Sequence, residues 1–392
     1  MFRFGQFERP YEPGEIDAQA HGAVARSIGS QIAVLLKNDD GLLPLDADAG
    51  SIVIIGQSEY VDDACLGGGG SSKVIPLYTV PPLEGMQDVL RDLGSSATVT
   101  KLTVADDLSN LDEAKTAAEG ATAVVLMAGL VATEGADQPD ANLLNDQNRM
   151  LDELLDINPT TVVVMKDSNP VLMPWIDKAP AVLEAWNQGA EDGHVVADLL
   201  FGVANPSGKV PTSYPRSEDD TLYAGRPERY PGTDEGDGYP VIRYSEGLEI
   251  GYRWFQAQGI EPVFGFGFGL SYTTFDIGDV SVNSPDGASA PVTVTASVTN
   301  TGPVAGAEVV QVYLGVPVEG QPPKRLVGFQ KVFVEPGESK PVTITIDPAA
   351  TNHPFSVWDY RTPAFVAKPG EYTFYIGNSA DDTPHMTTIT VP

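Results

Sequence analysis

With 54 Asp and Glu but only one Cys and four His in 392 residues, the side chains able to do chemistry are nearly all carboxylates. Carboxylates act as general acids and bases or as nucleophiles, so acid–base or carboxylate chemistry is what to look for. A carboxylate better placed than most is Glu134, in Gly129-Leu130-Val131-Ala132-Thr133-Glu134-Gly135-Ala136-Asp137-Gln138-Pro139-Asp140, which follows the apolar run Ala121–Ala128. That run reads as a buried strand, and ligands in open α/β sheets bind in loops beyond the carboxyl ends of strands. On local sequence alone, the favoured reading of Glu134 is one more solvated charge. A second stretch, Leu66-Gly67-Gly68-Gly69-Gly70-Ser71-Ser72-Lys73, is as rich in glycine as a phosphate loop. However, no Ser or Thr follows Lys73, and Pro76 blocks the helix that would present its amides to a phosphate. It reads instead as a glycine turn that lets backbone approach a neighbouring domain or a ligand.

Other chemistries find no support. Cys65 stands alone, so an internal disulfide and a Cys/His zinc cluster are both excluded, and neither a metal nor a cofactor is expected. His21, His194, His353 and His385 are scattered, and no Gly-x-Ser-x-Gly elbow occurs. The formal charge of −31 argues against nucleic acid and anionic lipid as partners, because phosphate contacts need cations. It also suggests adaptation to molar salt, where carboxylates keep a surface hydrated while self-repulsion is screened. No run of about 18 apolar residues marks a membrane span, and Met1–Gln6 lacks the apolar stretch of a signal peptide. The compartment, cytoplasmic or secreted, stays open.

The elements that must position these residues follow from periodicity. From Ala18 to about Leu200, short β-branched runs alternate with amphipathic stretches, the pattern of a sheet with helices on both faces. Strands are expected at Ser51–Ile55, Ala97–Val104, Ala121–Ala128, Thr160–Lys166 and Ala181–Ala185. Helices are expected at Ala18–Leu36, Leu83–Leu93, Ser109–Ala118, Asn145–Ile157 and Ala190–Leu200. Ala123-Val124-Val125-Leu126-Met127 is apolar throughout, which requires cover on both faces and a mostly parallel sheet. Over 211–276 Gly, Pro and aromatics dominate, as in long loops wrapped over the first domain. From Ile277 onward, runs such as Val292–Val298 and Val342–Ile346 alternate with period two between turn signals, describing an all-β antiparallel sandwich of about seven strands.

Taken together, these stretches resemble the carboxy-terminal half of family-3 glycoside hydrolases of the β-glucosidase kind, over nearly the whole chain. The resemblance is carried by Ile32–Asp39 with Gly41-Leu42-Leu43-Pro44-Leu45, Gly68–Pro76, Asn169-Pro170-Val171 and Asn205–Pro211. Phe264–Phe275, Leu326–Lys331, Trp358-Asp359 and Lys368–Tyr372 add to it. It implies an (α/β)6 sandwich domain over 18–210, after a linker remnant at 1–17, and a fibronectin III-like domain over 277–392. It further implies a retaining hydrolase of β-linked glucosides or oligosaccharides. In such an enzyme a preceding barrel carries an aspartate nucleophile, and a sandwich-domain loop supplies the glutamate acid/base, whose place Glu134 takes. Retaining hydrolysis needs two carboxyl groups about 5–5.5 Å apart, and a glutamate partly desolvated by bound sugar and a facing carboxylate has a raised pKa. Gln138 departs from the family, which usually has arginine there. No segment of this chain matches the barrel, so the polypeptide alone is expected to be unable to complete a double displacement. The other reading is a non-catalytic sugar-binding or assembly module left after loss of the barrel.

Overall fold

Strands that are apolar at every position need cover on both sides, and the fold supplies it. The computed structural model describes residues 14–71, 73–283 and 290–391. Its first unit comprises α1 (Ala18–Ile32), β1 (Val34–Asn38), β2 (Ser51–Gln57), α2 (Ser58–Val61), α3 (Pro82–Asp92), β3 (Thr98–Val104), α4 (Leu111–Gly120), β4 (Ala123–Leu130), α5 (Gln147–Leu155), β5 (Thr161–Asp167), β6 (Ala181–Glu184) and α6 (Asp192–Leu200). The strands form one six-stranded sheet in the order β1-β6-β5-β4-β2-β3. β2 to β6 run parallel, and β1 pairs antiparallel with β6. Successive residues of a strand face opposite ways. Val124, Leu126 and Ala128 therefore join a core with α4 and α5, while Val125 and Met127 join one with α3 and α6.

One expected element is corrected. The helix anticipated over Ala18–Leu36 ends at Ile32, where Ala33 turns extended, and Val34–Asn38 becomes the sheet's sixth strand. Val34 and Leu35 are fully buried and Leu36 is 2% exposed. An apolar run this short satisfies a buried strand and the last turn of a helix equally well, so periodicity alone does not separate them. Of the segment expected as a linker remnant at 1–17, residues 1–13 lie outside the described residues. Gly14–Asp17 lead into α1, where the Asp17 side chain accepts from the Ala20 amide at 3.0 Å and caps the helix.

Residues 201–274 hold little regular structure beyond a two-rung hairpin, β7 (Thr233–Asp234) with β8 (Pro240–Val241), and an unanticipated helix, α7 (Tyr252–Gln258). They wrap rather than dangle: Val210, Tyr214 and Phe264 are buried in the core shared with α4 and α5. Backbone bonds tie Tyr214 to Phe264 and Val210 to Phe268.

The second unit is a sandwich. β9 (Phe275–Val282), β10 (Val292–Asn300), β11 (Gly306–Gly315), β12 (Arg325–Val334) and β13 (Ser339–Ile346) are followed by a small hairpin of β14 (Ser356–Asp359) and β15 (Ala364–Ala367). β16 (Gly370–Gly377) and β17 (His385–Val391) complete it. Sheets ordered β13-β10-β9 and β12-β11-β16-β17 pack face to face. Alternate residues Val292, Val294, Ala296 and Val298 point into the shared core, as period-two patterning dictates. At the junction of the two units, Tyr252 stacks on Phe266 with ring centroids 4.7 Å apart and meets Tyr313 edge-on. A Lys209–Glu308 ion pair at 2.7 Å and a Gln311 bond to the Gly267 carbonyl at 3.0 Å add polar ties.

Candidate active site

Strand order selects where a site can form. From β2 the chain steps outward to β3, then returns to set β4 on the other side of β2, so the winding reverses between β2 and β4. α3, which follows β2, packs on one face of the sheet, and α5, which follows β4, packs on the other. Loops that diverge in this way open a crevice beyond the carboxyl ends of the two strands. The loop after β4 carries Glu134. The chain after β2 and α2 forms a glycine strap, Gly67–Ser71, so both candidate stretches of the sequence meet at this reversal point.

The meeting is direct. Glu134 sits exposed on a turn closed by Thr133 and Ala136. Its Oε2 accepts from the Ser71 backbone N–H at 2.6 Å, Thr133 Oγ1 accepts from the Gly69 N–H at 3.2 Å, and the Glu134 N–H reaches the Gly69 carbonyl at 3.5 Å. The Ser71 amide favours the charged carboxylate and holds the Glu134 carboxyl below its ordinary range. In this chain Glu134 is thus an exposed carboxylate whose Ser71 donors, backbone first and side chain second, outweigh a smaller opposing effect of desolvation. The raised pKa expected of a general acid depends on groups that would have to come from bound sugar and a facing carboxylate.

The root of the loop is fixed from below. The Ala132 N–H donates to Ser168 Oγ at 3.2 Å, and the Asn187 amide donates to the same oxygen at 2.9 Å. The Cys65 thiol in turn donates to Asn187 Oδ1 at 3.2 Å. Burial pushes the Cys65 pKa up to about 11, so it stays a thiol and acts as a structural donor. On the far side of the turn, the neighbouring Asp137 raises the Tyr230 hydroxyl above its ordinary range. Gln138 lines a cavity of about 430 Å³ together with Asn169, Tyr223, Tyr230 and Trp254.

A second group of charges lies inside the fold, and sequence reasoning passed over it. Lys166 Nζ and Asp192 Oδ2 pair at 2.6 Å with both side chains fully buried. On the other face of the sheet, Glu184 Oε1 accepts from the Trp186 N–H at 2.8 Å and Oε2 accepts from the Tyr214 hydroxyl at 3.2 Å. Neither carboxyl oxygen of Asp167 meets a donor. Burial raises Asp167 well above the carboxylate range, with the adjacent Glu184 charge adding to it, and burial pushes Glu184 up to about 7. The only sequence signal was a Lys-Asp pair closing an otherwise apolar strand. Among the described residues no cluster of three or more His, Cys, Asp or Glu could hold a metal ion, and no helix is long and apolar enough to cross a membrane.

Known proteins share this fold. The profile of the glycosyl hydrolase family 3 C-terminal domain matches residues 33–272, more than half of the chain and both loops of the crevice. The chain belongs to glycosyl hydrolase family 3. A fibronectin type III-like domain matches residues 308–380, within the sandwich. Thermostable beta-glucosidase B of Acetivibrio thermocellus is 35% identical over 97% of this chain and 49% of its own length. DesR, a beta-glucosidase from Streptomyces venezuelae solved in complex with D-glucose, superposes with a TM-score of 0.90 at 28% identity, covering 100% of this chain and 63% of that one. The Bifidobacterium adolescentis GH3 beta-glucosidase gives 0.86 at 30% identity, covering 97% and 55%. The chain spans about half the length of the curated relatives it matches. The α/β and fibronectin-like units expected of family 3 are both present, and among the described residues no strands close into a barrel.

Proposed function

We propose that this chain is the carboxy-terminal portion of a retaining, exo-acting β-glucosidase-like hydrolase of β-linked glucosides or oligosaccharides. In this reading Glu134 is the general acid/base, and the nucleophilic carboxylate lies on a barrel domain supplied in cis or in trans. The observation that carries it is the placement of Glu134: solvent-facing, free of ion pairs among the described residues, at the reversal point of the sheet. A carboxyl so placed is available to a facing partner. Once a barrel and a sugar exclude water, the raised pKa of a proton donor follows from desolvation and like charge. Glu134 would then protonate the leaving oxygen and, after attack by the partner carboxylate, deprotonate the incoming water. Val74, Ile75 and Leu77, at 69%, 88% and 67% exposure just beyond the strap, offer apolar surface for a barrel to cover. By itself the chain is inactive, because one carboxyl group does not perform a double displacement.

The test is complementation. Mixing this chain with the barrel half of a family-3 relative should restore hydrolysis of an aryl β-glucoside, and Glu134→Gln should lower the rate by at least about 10²-fold, the usual loss on removing a general acid. Full turnover with Glu134→Gln would refute the assignment. The Gln138 departure favours a second reading, a non-catalytic sugar-binding or assembly module, under which the folded halves give no turnover at all. The charge of −31 supports adaptation to high salt: unfolding midpoints should climb as KCl rises from about 0.1 M to 1 M, where the Debye length falls to roughly 3 Å.

A further inference from the structure

We propose that the glycine strap Gly67–Ser71 is a positioning element for Glu134, fixing its turn sterically and holding one carboxylate oxygen through the Ser71 amide so that the other is left to carry the mobile proton. This rests on Glu134 being the acid/base. Three bonds join the two loops, and each involves strap backbone rather than a strap side chain: Ser71 N–H to Glu134 Oε2, Gly69 N–H to Thr133 Oγ1, and Glu134 N–H to the Gly69 carbonyl. Such close backbone approach is what the glycines permit. A Cβ on Gly68 would collide with the backbone oxygen of Ala132, and one on Gly70, whose φ is +92°, would collide with the Cβ of Glu134. The strap therefore sets how far Glu134 stands from the sheet edge, and any side chain at those positions must push the loop away.

The chemical consequence concerns which oxygen holds the proton. Oε2 is occupied by an N–H donor, so it accepts and does not protonate readily, and the proton delivered to a leaving oxygen sits on Oε1. No other charge competes for the role. Lys73, just past the strap, and Asp137, on the Glu134 turn, are the nearest charged residues in sequence, and neither perturbs Glu134, whose environment is dominated by Ser71. A donor to the carboxylate stabilises the base form, which makes Glu134 a stronger acid when protonated and, in equal measure, a weaker base toward water. The acid limb and the alkaline limb of turnover are thus both set partly by one backbone amide.

The experiment is a ¹³C NMR titration of the Glu134 side-chain carboxyl in this chain, assigned by difference against Glu134→Gln. The parent should titrate below the ordinary glutamate value of about 4.3, Ser71→Ala, which removes only the hydroxyl, should keep most of that lowering, and Ser71→Pro, which removes the N–H as well, should bring it up to the ordinary value. Should Ser71→Pro fail to fold, Gly68→Ala displaces the turn while keeping the amide, and should raise the value likewise. A parent titrating at the ordinary value, or a folded Ser71→Pro that leaves it unmoved, overturns the proposal. In the barrel-complemented assembly the same variants should move the alkaline limb of kcat/KM to higher pH, a change that a general loss of stability does not produce. The titration is read without turnover, so failure of the strap leaves the acid/base assignment standing. Full activity of Glu134→Gln removes that assignment without touching the strap.

Discussion

Two carboxyl environments share one edge of one sheet. Glu134, on the loop after β4, is in water and is held charged by a backbone amide. Asp167 and Glu184, at the ends of β5 and β6, are sealed inside and kept protonated into the neutral range by burial. The same functional group thus has opposite proton affinities on neighbouring strands, and the difference comes from solvent access rather than residue type. A proton donor active near neutral pH needs what the buried pair has and Glu134 lacks. Under the proposed function, that desolvation is left to a facing domain and bound sugar. The chain spans about half the length of the curated relatives it matches.

The sharpest way to break the contrast is to strip the interior of its compensation. Lys166 and Asp192 pair at 2.6 Å with both side chains fully buried, and Lys166 Nζ also bonds the Tyr60 carbonyl at 3.1 Å. Lys166→Ala leaves a carboxylate buried with no counter-charge, and should destabilise the chain by about 3–5 kcal/mol in urea unfolding. A loss under about 1 kcal/mol would mean that water reaches this interior, since surface substitutions fall in that range. The contrast with Glu134 would then be one of degree only.

What the sequence made legible follows the same line between pattern and tertiary approach. Uniform apolarity in Ala123–Met127 announced a doubly covered parallel strand, and period-two runs from Val292 announced the sandwich, because both patterns are local. The loop after β4 was marked as a site because strand ends are where open sheets bind ligands. The strap was rejected as a phosphate loop and read as a place for close backbone approach. Its partner, Ala132–Glu134, lies more than 60 residues on, as the 63-residue separation of Ser71 and Glu134 shows, and no local pattern names it. β1 was absorbed into α1 because a run of three buried residues, Val34–Leu36, suits either element. The interior charges stayed invisible because a charged residue in so acidic a chain reads as solvated until packing shows otherwise.

A pH series sharpens the comparison with a smaller effect. Unfolded, Asp167 and Glu184 ionise near 4, whereas folded, Glu184 keeps its proton to about 7 and Asp167 is also raised. The native state therefore binds more protons across that window, and its stability falls as pH rises from about 4 to 7. The share due to Glu184 alone is on the order of 3 kcal/mol, at 1.36 kcal/mol per pKa unit. Below about 4, salt-bridged carboxylates with lowered values, such as Glu153, act in the opposite sense. Parent and Asp167→Asn/Glu184→Gln chains should therefore be compared at each pH by urea midpoint. The double variant should lose the decline between pH 4 and 7. Parallel curves would show that the buried pair is not what titrates.

The smallest expected effect closes the comparison from its exposed side. Glu134→Gln in this chain keeps the side-chain length and an oxygen able to accept from the Ser71 N–H, so the strap stays engaged. It also removes one negative charge from a chain with a formal surplus of 31, which eases self-repulsion at low salt. No buried group loses a partner, so the urea midpoint should be indistinguishable from the parent's at neutral pH. A clear drop would mean that the carboxylate is part of the scaffold. It would then belong with Asp192 rather than stand apart from it, and the case for a group poised for chemistry would pass to another residue of the crevice.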